Sequence, residues 1–445
     1  MTPPDWFSQG VSMLRTSTKK TDPMPRSTME RLKATLRHEE EAMSPRTLRQ
    51  TLKDLQAIVD PMVSEVEGGR RAQAMMDWYA QATLPHRRDL WLLMSERFVA
   101  DPERVKKAQT QFAAAVGTPD EAAAEVLYRR ATVSPRRRLL QRFSANPQGV
   151  HFLVNMRAEL QAQLKTDKRL AALDVEMEYM FSTWFDVGFL DLRRISWDSP
   201  ASLVEKLIQY EAVHDIRSWA DVKNRLDSDR RCYGFFHPRL AGEPLIFVEV
   251  ALMNEIATSI TPLLDEAAAP ADLGKATTAI FYSISSTQRG LRGVSFGDSL
   301  IKRVVETLKD EFPRLRTFVT LSPIPGLRAW LSKHAPAEMV KAWEHAEDLP
   351  EPSPERRALL GWAARYLGDQ IDEGKPLDPV ARFHLGNGAR VEKLNWAADP
   401  SPKGLKQSYG LMVNYLYDLK RLDKHRALLA QGKIPIAAAI KDLYL

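Results

Sequence analysis

Residues 280–326 constrain the fold of this chain more than any other stretch. They open on an apolar run, Ile280-Phe281-Tyr282-Ser283-Ile284-Ser285, with the length and bias of a buried strand. A basic, glycine-rich turn follows, containing Arg289, Gly290, Arg292, Gly293 and Gly297. From Ser299 to Asp310, Leu300, Ile301, Val304, Val305 and Leu308 recur at helical spacing. A second strand over residues 316–321 leads into Ser322-Pro323-Ile324-Pro325-Gly326. Strand, turn, helix and strand in this order predict a βαβ-type unit. Its turn gathers backbone N–H groups and the positive end of a helix dipole at one point, which suits a phosphate. Gly290, Gly293 and Gly297 are expected to let the backbone approach a ligand, and the two arginines add charge. Ser322 falls at the carboxyl end of the second strand, where open α/β sheets tend to hold their ligands.

Residues up to about 180 carry helix signals instead. Ser27-Thr28-Met29-Glu30 has the form of a capping box, and Ser44-Pro45, Thr118-Pro119-Asp120-Glu121 and Ser134-Pro135 are further helix starts. Only five of the 21 glycines lie there, which argues for few tight turns and no sheet. No fixed-period repeat is present, so a compact bundle is favoured over a solenoid. The first 25 residues are expected to be mobile.

The pattern changes after Trp184. Residues 189–195 alternate as a strand, 203–212 and 219–226 are helical, and Cys232 to His237 pairs with Leu245 to Leu252 as a hairpin. Beyond residue 326, helices are expected over 327–333, 338–347, 354–367 and 379–385. Asn387-Gly388 reads as a turn and 390–396 as a strand, while 407–421 fits either a strand or a helix.

At 445 residues the chain exceeds a typical single domain, so two domains are expected. No apolar run is long enough for a membrane span, and Met1-Thr2-Pro3-Pro4-Asp5-Trp6 lacks the order of a secretory signal. One cysteine, Cys232, excludes an internal disulfide framework and a cysteine-rich zinc site, and a cytoplasmic location is expected. A net charge of +6 from 63 basic and 57 acidic residues argues against a nucleic-acid arm. The histidines show no metal-ligand spacing.

Several blocks, in order, resemble the malonyl-CoA decarboxylase family. They are Arg231-Cys232-Tyr233, Gly242-Glu243-Pro244-Leu245, Phe281 to Ser285, Leu321 to Gly326, His384-Leu385 with Asn387-Gly388, and Gly410-Leu411-Met412 with Asn414-Tyr415. The resemblance implies an α+β fold. An N-terminal helical bundle (1–185), a place for oligomer contacts, would precede a GNAT-like mixed-sheet catalytic domain (186–445). It implies that Arg292, Gly293, Val294, Ser295, Phe296, Gly297 and Asp298 wrap the coenzyme A pyrophosphate, with Ser295 at a position that is glutamate in some relatives. It also implies a catalytic pair, Ser322 and His384.

A histidine exchanges protons near neutrality, and a serine hydroxyl orients or relays one. Donors near a thioester oxygen stabilise an enolate. The implied reaction is decarboxylation of malonyl-CoA to acetyl-CoA and CO2 by a homo-oligomer, with no metal or organic cofactor, because the thioester is its own electron sink. A CoA-dependent acyltransferase and a non-catalytic acyl-CoA sensor are the rival readings.

Overall fold

Proline just after a capping side chain starts several helices, because a helix's first N–H has no intrahelical partner to lose. The structure is a computed structural model that describes residues 42–294, 296 and 300–444. Ser27 to Glu30, read as the first capping box, and the first 25 residues, where mobility is expected, lie outside the described residues. Helix α1 (Pro45–Val59) opens on Ser44, whose Oγ accepts from Thr47 N at 3.2 Å. Next come α2 (Glu65–Gln81), α3 (Leu84–Arg97) and α4 (Pro102–Ala115), the last capped by Asp101. Helix α5 (Glu121–Thr132) packs on α4, and α6 (Pro135–Ser144) opens on Ser134 as its Ser-Pro pair predicts. Helices α7 (Gly149–Gln163) and α8 (Ala171–Trp184) complete the helical part. Its core is continuous with that of the sheet: Leu55, Trp91, Leu153 and Phe181 belong to the same buried cluster as Val248, Phe281 and Val304.

The chain then enters an eight-stranded mixed sheet. Strands β1 (Asp191–Ile195), β2 (Arg230–Phe236), β3 (Pro244–Met253) and β4 (Thr278–Ser286) form an antiparallel run. Helices α9 (Ala201–Tyr210) and α10 (Trp219–Arg225) lie between β1 and β2 in sequence. Helix α11 (Leu300–Glu311) buries Leu300, Ile301, Val304, Val305 and Leu308, the stripe that its sequence predicts. It leads to β5 (Thr317–Thr320), which pairs parallel to β4. The βαβ unit is therefore present, and the α+β class with it.

After β5 come β6 (Ser322–Pro323), α12 (Leu327–His334), α13 (Pro354–Gly368), α14 (Pro379–Gly386) and β7 (Arg390–Asn395). The ambiguous segment 407–421 resolves as the end of α15 (Pro402–Ser408), a left-handed turn at Tyr409 and Gly410, and strand β8 (Met412–Leu416). The expected helix over 338–347 is shorter, Ala337–Ala342 followed by a 3-10 turn. Among the described residues no helix is long and apolar enough to cross a membrane.

One break in the sheet positions the site. The β4–β5 ladder stops at Phe281 opposite Thr320, with a last bond from Leu321 N to Phe281 O at 3.0 Å. Beyond it β6 pairs with β8, Met412 opposite Pro323 and Val413 opposite Ser322, and no longer with β4. Pro323 and Pro325 have no N–H with which to extend the β4 ladder. The side chain of Asn414 mends the β8 side of the break, its Nδ2 donating to Thr320 O at 2.7 Å. Past Phe281, then, β4 is paired on its β3 side alone among the described residues, and a cleft opens along its free edge.

Candidate active site

The cleft has a volume of about 930 Å³, within the range of pockets that take a whole cofactor-sized ligand. Phe281, Tyr282, Ser283 and Ile284 of β4 line its length. At one end stand Arg289, Arg292, Gly293, Val294 and Phe296 of the glycine turn, together with Ala158, Gln161 and Ala162 of α7. At the other end stand Ser322, Pro323, Phe383 and His384. The structure thus brings the two predicted groups to one cleft. Ser295, Gly297 and Asp298 lie outside the described residues. Arg289, Arg292 and Gly293 are exposed, while Val294 is buried.

Gly290 does not do what its place in the turn suggests. A Cβ there would lie 1.8 Å from the carbonyl oxygen of Val154, so this glycine lets the turn pack on α7 rather than on a ligand. Gly293 adopts φ +84°, a left-handed conformation that glycine takes without steric cost.

His384 is held from both ends of its helix. Asp378 caps α14, its Oδ1 accepting from Val380 N at 2.9 Å and Ala381 N at 3.0 Å. Its Oδ2 accepts from Tyr366 Oη at 3.3 Å and Gly326 N at 3.4 Å, which ties the cap to the segment after Ser322. At the other end Gly388 turns left-handed, φ +86°, and closes a Schellman motif: Ala389 N donates to His384 O at 3.1 Å and Gly388 N to Leu385 O at 3.0 Å. The Asn387-Gly388 pair in the sequence is this stop.

The imidazole sits between Tyr415, stacked at 4.7 Å between centroids, and Phe383, edge-on at 5.1 Å. Its Nε2 is 3.2 Å from Ser322 Oγ, and its Nδ1 is 2.8 Å from Tyr417 Oη. Ser322 Oγ donates to Thr320 Oγ1 at 2.8 Å, and that oxygen also accepts from Tyr415 N at 3.1 Å. With its proton given to Thr320, Ser322 accepts from Nε2–H, and Nδ1 accepts from Tyr417. One directional chain results: Tyr417, His384, Ser322, Thr320.

Burial lowers the His384 pKa to about 3, and it holds the Tyr417 phenol well above its usual range. The resting imidazole is therefore neutral at pH 7. In the unfolded chain it would titrate near 6.5, so between these values the unfolded state binds a proton that the folded state refuses. Wild-type stability should then fall as pH drops through this window, by about 1.4 kcal/mol per unit from this group. Urea denaturation at pH 7 and pH 5 tests it: the stability advantage of wild type over His384→Ala should shrink by about 2 kcal/mol. A constant difference would mean that the ring titrates alike in both states.

Tyr417 and Thr320 were not legible as site residues. The one available signal was alternation on β8, which puts Val413, Tyr415 and Tyr417 on one face. Ser283 and Ser285 also gain a partner that the sequence did not suggest, both donating to the buried carboxylate of Glu211 at 2.8 and 3.0 Å. Among the described residues, the group with metal-like spacing, His345, Glu347 and Asp348, is exposed and does not line the cleft.

A mixed α+β sheet opened along one strand edge, with a buried hydroxyl–imidazole pair at the end of the opening, defines a cleft enzyme. The family model "Malonyl-CoA decarboxylase C-terminal domain" matches residues 188–445, and that of the N-terminal domain matches 98–185. The chain belongs to the malonyl-CoA decarboxylase family. "Malonyl-CoA decarboxylase, mitochondrial" of Anser anser anser is 36% identical over 329 residues. That match spans 65% of this chain and 65% of the goose protein's length. The crystal structure of malonyl-CoA decarboxylase from Rhodopseudomonas palustris is 40% identical with a TM-score of 0.78, covering 90% of this chain and 100% of that one. That from Agrobacterium vitis is 39% identical with a TM-score of 0.79, covering 88% and 99%.

Proposed function

We propose that this chain decarboxylates malonyl-CoA to acetyl-CoA and CO2. The observation that carries the reading is a single cleft with two unlike ends. One is a basic glycine turn suited to a pyrophosphate, and the other is the Ser322–His384 contact. Between them the free edge of β4 offers backbone groups to the amides of a pantetheine arm. Family membership, through relatives named for this reaction, supports the substrate.

As the bond between the α-carbon and the carboxylate breaks, its electron pair moves into the thioester carbonyl. CO2 leaves, and the enolate takes one proton at carbon. We assign His384 as the proton donor and Ser322 as the hydroxyl that accepts from its Nε2–H and relays that proton onward, with Tyr417 orienting the ring through Nδ1. The malonyl carboxylate brings negative charge into a desolvated floor, which favours the imidazolium over the neutral ring. The proton taken up with substrate is then the proton delivered to carbon. No metal or organic cofactor enters the proposal.

Wrapping of the pyrophosphate by residues 292–298 belongs to the same proposal, as does a homo-oligomer. The latter is supported by exposed Val116, Val126, Leu127 and Val133 on and beside the α4–α5 hairpin. Cytoplasmic placement is supported by the lone buried Cys232.

Malonyl-CoA labelled with 13C in its free carboxyl group tests the activity. Incubation with the protein should give labelled CO2 and unlabelled acetyl-CoA in equal amounts, without any acceptor. Malonyl-CoA that binds but stays intact would overturn the reading in favour of a sensor. Product formed only when an acceptor is added would favour an acyltransferase.

A further inference from the structure

The phosphate end of the cleft is held by a side chain from the helical half of the chain. Arg157, on α7, is fully buried. Its Nη1 donates to Gly290 O at 2.9 Å and to Arg292 O at 3.0 Å, two carbonyls of the glycine turn. Its Nε donates to Asp174 Oδ1 at 2.8 Å, and its Nη2 to Asp174 Oδ2 at 3.4 Å and Glu178 Oε2 at 3.0 Å. A guanidinium has five N–H groups, and each one here has an acceptor. Gln161, one turn further along α7, adds to the clamp. Whichever way its amide is turned, it donates to a carbonyl of the turn, Arg292 O at 3.3 Å or Arg289 O at 3.2 Å. Gly290 completes the seat by packing flat on Val154.

This arrangement does more than fill space. The negative ends of the turn's peptide dipoles point into a cation inside the helical domain and away from the cleft, where an anion has to sit. Arg289, Arg292 and Gly293, from the same turn, face that cleft. Asp174 and Glu178 on α8 compensate the buried charge, so the clamp needs no anion from the ligand and exists before substrate arrives.

We propose that Arg157 is a positioning residue for substrate binding, acting from the helical domain through the carbonyls of Gly290 and Arg292 on the phosphate-bearing end of the substrate. This rests on the reading of the turn as the pyrophosphate site. Arg157 touches no reacting atom, so its loss should raise KM and spare kcat. A lysine there keeps the charge but has three donors and no planar fork.

The test compares malonyl-CoA with malonyl-pantetheine, which has the same reacting end and no pyrophosphate. For Arg157→Lys, kcat/KM on malonyl-CoA should fall about tenfold, through KM, as expected for charge-assisted bonds that slacken. On malonyl-pantetheine the variant should match wild type. Glu178→Gln, which loosens the clamp from its half-exposed side, should show a smaller effect with the same selectivity and an unchanged melting temperature. Equal losses on both thioesters, or a loss confined to kcat, would make Arg157 a structural residue only and overturn the proposal. A wild type that does not distinguish the two thioesters would instead overturn the phosphate reading of the turn itself.

Discussion

Replacing His384 by alanine is expected to lower kcat for malonyl-CoA decarboxylation by about a thousandfold, the middle of the range for a positioned proton donor. Binding should survive, because the groups that suit the phosphates lie at the far end of the cleft. The dissociation constant for malonyl-CoA is expected to change by no more than about threefold, since the lost ring contributes to the floor and not to the mouth. A larger KM with an unchanged kcat would remove His384 from the chemistry. The ring is well placed for a selective effect. Tyr415 and Phe383 fix its plane, Tyr417 occupies Nδ1, and the Schellman stop holds its backbone. Alanine leaves a cavity between two aromatic rings, so a melting curve should accompany the kinetics. A folded protein that binds and does not turn over is the expected outcome.

How much of this was legible in advance differs from element to element. The β4–turn–α11–β5 unit could be read because each part obeys a local rule: an apolar run, glycines, then an apolar stripe at helical period. The Ser-Pro helix starts at Pro45 and Pro135 are local in the same sense. The catalytic pair is not local. Ser322 and His384 are 62 residues apart, one after a strand and one near the end of a short helix. Only the family resemblance joined them before the fold did. Thr320 and Tyr417 depended on knowing that 412–416 is a strand, and aromatic residues in that segment fit a helix face equally well. Arg157 was further out of reach. An arginine in an amphipathic helix ordinarily faces water, and its partners at Gly290 and Arg292 lie 133 and 135 residues away. The same distance explains Gly290, whose reason for being glycine is the backbone of α7 and not its own turn.

Ser322→Ala is the second large effect, an expected loss of about a hundredfold in kcat. The serine accepts from His384 Nε2 and donates to Thr320 Oγ1, so its removal breaks the directional chain in the middle. Nε2–H loses its acceptor inside a buried floor, where an unpaired donor costs about 1–3 kcal/mol. The ring is then free to take the other tautomer or to recruit a water. Thr320→Val should cost less in kcat, because it leaves Ser322 in place, although it removes the acceptor of both Ser322 Oγ and Tyr415 N. The relay predicts more than the single values. If the serine and the histidine act as one unit, the double variant should be no slower than His384→Ala alone, since the second substitution removes a partner of a group already gone. If the losses multiply instead, to about a hundred thousandfold, then Ser322 acts on the substrate by a route of its own. A direct contact between its hydroxyl and the substrate, and not its bond to His384, would become the feature to explain.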